Sequence, residues 1–92
     1  MQEAQARDQA EPATFSTLVL MLGTAALVHL GASPDPGQEE PRHDLGEAQR
    51  LIDWLGILRD KTEGRLTPEE RMLLEQLLFD LRMRYLAAER KA

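Results

Sequence analysis

The sequence predicts an all-α protein in which an apolar N-terminal helix precedes an antiparallel αα-hairpin, the helical bundle being completed by oligomerisation. Three observations predict this. Residues 15–31, FSTLVLMLGTAALVHLG, are apolar on nearly every side of a helix, which marks a segment buried in a core or a membrane. Two later stretches repeat large aliphatic residues at steps of three and four, the period of a helix with one buried face. Between them Gly64 is followed, after Arg65 and Leu66, by Thr67-Pro68-Glu69-Glu70, a stop and a start so close together that the two helices should fold back on each other.

Size and composition sharpen the expectation. Ninety-two residues allow one small domain, and no cysteine is present to staple it. Small domains without disulfide or metal commonly gain their missing burial by associating. A net charge of −5 works against general affinity for phosphate backbones, so no nucleic acid partner is expected. Arg82, Arg84, Arg90 and Lys91 gather near the end of the chain, where positive charge complements the dipole of a helix C-terminus.

Residues 1–13 are polar and read as a disordered arm; with Arg7 as its only cation, the arm lacks the basic start of a secretory signal, and a cytoplasmic location is expected. The apolar helix occupies 14–31, with Thr14 or Ser16 as cap and Gly31 as stop. Its span of about 24 Å at 1.5 Å per residue is short of a hydrocarbon core of about 30 Å, and neither flank offers an immediate Lys, Arg or Trp anchor, so a membrane partner is not expected. Gly23, Thr24, Ala25 and Ala26 form a narrow waist where another helix could approach closely. A proline-rich linker covers 32–43, and the hairpin covers 44–88, with a frayed basic tail at 89–92.

Asp44 with Glu47 three residues on has the spacing of a capping box. From there to Thr62, Leu45, Ala48, Leu51, Ile52, Leu55 and Leu58 lie along one stripe with Trp54 at its edge, while Ile57 projects from the far side. On the last helix, Leu74, Leu78, Leu81, Tyr85 and Ala88 form a seam of the heptad kind. Met72, Phe79, Met83 and Leu86 make a second stripe well over 90° away. One hairpin cannot bury both. The residues expected at an interface are therefore Phe15, Leu18, Leu22, Gly23, Ala26 and His29 of the first helix, Ile57 of the second, and Met72, Phe79, Met83 and Leu86 of the third.

Chemistry has little support. His29 and His43 lack ligand neighbours at a recognisable spacing, and no phosphate loop, nucleophile elbow or metal motif occurs. No catalytic residue, cofactor or metal is expected, and the protein is not expected to be an enzyme. The segments FSTLVL, AALVHLG, PDP, LIDWLGILRDKTEGRLTPEE and LLFDLRMRYL, in that order, resemble a family of small bacterial proteins catalogued as domain of unknown function eighteen forty-four. The resemblance implies a helical bacterial protein and carries no activity, cofactor or catalytic residue. The expected function is a protein–protein interaction and oligomerisation protein whose partner is itself, as a dimer or higher assembly, and then another protein helix. Two alternatives are a membrane-associated protein anchored by residues 15–30 and an accessory subunit of an enzyme or nucleic-acid complex.

Overall fold

The computed structural model describes residues 12–31 and 44–91; the arm before Pro12, the linker, His43 and Ala92 lie outside them. Within the described residues the chain is all-helical, with α1 at Phe15–His29, α2 at Leu45–Lys61 and α3 at Pro68–Lys91, each packed on the other two.

Local chemistry sets the ends. Thr14 caps α1: its hydroxyl accepts from Thr17 N–H at 3.0 Å, and its own N–H donates to Thr17 Oγ1 at 3.0 Å. This is a capping box with threonine where glutamate is usual. At the other end Leu30 N–H donates to Ala26 O, and Gly31 turns the chain out of the helix at φ 78°, a conformation that glycine adopts without side-chain strain. Asp44 caps α2 by accepting from Glu47 N–H at 3.1 Å. The expected reciprocal bond is replaced, because Asp44 N–H donates to the His29 carbonyl at 2.8 Å and Glu47 pairs with Arg50. That backbone bond ties the end of α1 to the start of α2. The capping box of α3 forms in full, Thr67 N–H reaching Glu70 Oε1 at 2.9 Å and Glu70 N–H reaching Thr67 Oγ1 at 3.1 Å.

One boundary needs correction. Residues 89–91 of the expected frayed tail continue α3 as far as Lys91. Glu89, Arg90 and Lys91 are good helix formers, and the two cations sit in the last turn where the exposed carbonyls favour them.

The core joins Val19, Ala26 and Leu30 of α1 to Ala48, Leu51, Ile52 and Leu55 of α2 and Leu74, Leu78 and Leu81 of α3. The hairpin seam is thus buried as its spacing implies, with Tyr85 and Ala88 packed at its edge. The apolar helix folds against its own hairpin. Val19, Gly23, Ala26 and Leu30 recur at four, three and four residues along the buried side, and small residues there let the helices close up. A Cβ placed on Gly23 would lie 2.5 Å from Leu77 Cδ2 and 3.1 Å from its Cγ, so α1 meets α3 closely enough that Leu77 would have to shift to admit even one methyl group.

Candidate interaction surface

After the core is filled, nine large apolar side chains among the described residues remain between 44% and 69% exposed: Leu18, Leu20 and Met21 on α1, Trp54 and Ile57 on α2, and Met72, Phe79, Met83 and Leu86 on α3. Scattered exposed hydrophobes are ordinary. Four in line on one helix are less so, and the α3 group is the most regular.

That regularity follows from the helix period. At ~100° per residue, Met72, Phe79, Met83 and Leu86 fall within a strip roughly 140° from the buried Leu74, Leu78 and Leu81, so α3 has two apolar sides. Gln76 completes the outer strip to steps of four, three, four and three. Charged side chains border it. Glu75 and Arg82 lie along one margin, and on the other side Asp80 is held by Arg84 at 2.8 Å. Arg82 also lies over the buried Gly56 of α2, within 3.5 Å of where a Cβ there would stand.

The other two patches are smaller. On α2, Arg50 lies 5.3 Å from the centroid of the Trp54 ring and bonds Glu47 at 2.8 Å, covering part of an indole that Ile57 continues one turn along. On α1, Leu18 and Met21 are neighbours, and Leu20 lies on another side of the helix.

Of the expected interface residues, Leu18, Ile57, Met72, Phe79, Met83 and Leu86 are exposed, and Phe15, Leu22 and His29 are half-buried. Gly23 and Ala26 are enclosed by the chain's own helices. This corrects their expected place: the waist serves contact within the chain, because its lack of side-chain bulk is taken up by Leu77. Met21 and Leu20 were not among the expected residues. A helix apolar on every side gives no period from which its outward positions can be read. Trp54, expected at a stripe edge, stands nearly half exposed beneath Arg50.

A cleft of about 590 Å³ opens beside the hairpin turn, where Arg59 and Arg71 face Asp60, Glu63 and Glu75 over Leu66. Its charges are mixed, and its one hydroxyl, that of Thr62, donates to the Leu58 carbonyl at 2.6 Å. Among the described residues no three His, Cys, Asp or Glu side chains gather as a metal site. His29 Nδ1 is buried without a hydrogen-bond partner among them. No helix of the described residues is long and apolar enough to cross a membrane. Residues 12–87 match the family model described as Domain of unknown function (DUF1844). No curated protein and no solved structure matches the chain.

Proposed function

Because the chain belongs to the DUF1844 family of domains of unknown function, whose name assigns no chemistry, we propose a function from its surface: a cytoplasmic helical interaction protein that first associates with itself and has no catalytic activity of its own. One observation carries this reading. The fold packs one side of α1 against the hairpin and still leaves an outward apolar strip, Met72, Phe79, Met83 and Leu86, along the helix that forms one side of its core.

Magnitudes indicate the kind of association. Full burial of such a side chain is worth roughly 1.5–3 kcal/mol, and about half of each remains to be covered. Eight side chains from a symmetric pair thus supply on the order of 10 kcal/mol, comparable with the ~4–15 kcal/mol cost of association. Even against the low end of that cost the surplus is about 6 kcal/mol, a Kd of tens of micromolar at the tightest, so the strip supports a weak, reversible complex. An assembly of that strength can exchange a copy of itself for a helix of another protein, the adaptor role that follows from the same surface.

Sedimentation equilibrium of the full chain across micromolar concentrations tests the proposal. Mass should rise with concentration, and Phe79→Gln should hold it at one subunit while leaving the helical content unchanged. A native protein that remains monomeric at hundreds of micromolar would refute the reading.

A further inference from the structure

We infer that the occupant of the outer strip of α3 is the same helix of a second copy, antiparallel, in the register that sets Met72 against the partner's Met83 and Glu75 beside the partner's Arg82. The inference rests on the self-association reading and specifies its geometry.

The outer strip is a heptad seam. Met72, Phe79 and Leu86 take the d positions, Gln76 and Met83 the a positions, Glu75, Arg82 and Glu89 the g positions, and Leu73, Asp80 and Ala87 the e positions. All members of the seam except Gln76 are large apolar side chains about half or more exposed. In a two-stranded coil the flanking charges select orientation and register.

In a parallel pair each g position lies beside the following e position of the partner. Glu75 would then meet the partner's Asp80 on both sides of the seam, like charge against like. In an antiparallel pair g positions face g positions. Full overlap sets Arg82 beside the partner's Arg82, Glu75 near the partner's Glu89, and Asp80 near the partner's Asp80, again unfavourable. Sliding the helices by one heptad toward their N-termini puts Glu75 and Arg82 in register twice over, with Met72 against the partner's Met83 in the two outer layers, Phe79 against the partner's Gln76 in the two between them, and Leu86 beside the partner's Glu69. This register joins like charge nowhere along the Glu75 margin. It keeps roughly 20 residues of α3 paired, about 30 Å at 1.5 Å per residue. The alternation of charge at the g positions therefore favours a slide of one heptad, and overlap favours this direction, because the opposite slide sets Arg82 beside the partner's Glu89 but keeps only about 14 residues of α3 paired.

Charge exchange tests orientation and register together, using the full chain and sedimentation equilibrium at low salt. Glu75→Arg should weaken dimerisation by on the order of tenfold, since two attractive pairs become repulsive, and added salt should weaken the native dimer. Arg82→Glu should weaken it similarly, and the double exchange should restore it. Arg82 also lies over Gly56, so a second measurement avoids that residue. Because the chain contains no cysteine, a single Leu86→Cys thiol is unambiguous: in the antiparallel register its two copies stand about 25 Å apart and should resist disulfide formation. Three results would overturn the inference: a stronger dimer for Glu75→Arg, which means parallel helices or full antiparallel overlap; rapid cross-linking of Leu86→Cys, which means parallel helices; or a dimer indifferent to Glu75, Arg82 and Phe79 but lost on Met21→Ser or Trp54→Ser, which places contact on α1 or α2. That last result leaves self-association standing; a native monomer refutes both.

Discussion

Gly23 offers the sharpest test of how α1 meets the hairpin. A Cβ at this position would stand 2.5 Å from Leu77 Cδ2, 3.0 Å from Cδ1 and 3.1 Å from Cγ. The first two are the ends of a half-buried side chain that can swing away. Gly23→Ala should therefore stay within about 1 kcal/mol of native, because relief of glycine's helix penalty, also about 1 kcal/mol, offsets the displacement of one methyl. Gly23→Ile adds a branched side chain where even the first carbon is crowded. Overpacking of this kind costs roughly 1–3 kcal/mol, against a gain in helix propensity of about half a kcal/mol, so a net loss of about 1.5 kcal/mol is expected. Leu77→Ala then has a sign that depends on its background. In native protein it should cost about 1–2 kcal/mol, since Leu77 is only part-buried; in Gly23→Ile it should recover at least 1 kcal/mol by vacating the collision. The assay is urea unfolding followed by circular dichroism for all four members of the cycle, at one protein concentration because association shifts apparent stability. Additive effects of the two substitutions would refute the packing of α1 on α3 through Gly23.

Other expectations follow from single contacts. Leu55→Ala, at a fully enclosed core position, should cost about 2–5 kcal/mol in the same unfolding assay, more than any substitution on the outer strip. Thr67→Ala removes the hydroxyl that accepts from Glu70 N–H and should lower stability by about 1 kcal/mol, with hydrogen exchange fastest in the first turn of α3. At Gly64 a Cβ would meet nothing within 4 Å, yet φ is +79°; Gly64→Ala should therefore destabilise by about 1 kcal/mol through backbone strain alone, with Gly64→Asn closer to native.

The elements and the hairpin were legible in the sequence because their signals are local. Thr67-Pro68-Glu69-Glu70, Asp44 with Glu47, and the glycines at 31 and 64 act through hydrogen bonds and dihedral preferences a few residues wide, and each lies where a helix begins or ends. The two-sided pattern of α3 was equally legible, since a helical period fixes which residues share a side: Leu74, Leu78 and Leu81 are enclosed while Met72, Phe79 and Met83 stand out. The tertiary structure decided what periodicity cannot encode. α1 is apolar all round, so nothing in its own sequence distinguishes the side that meets Leu77 from the side that leaves Leu18 and Met21 in solvent. That choice belongs to the hairpin, whose groove accepts only the narrow Gly23 and Ala26 side at close range. The same contact turned two expected interface residues into core. Local chemistry determined the helices, and shape complementarity between distant parts of the chain determined which apolar surface remains for a partner.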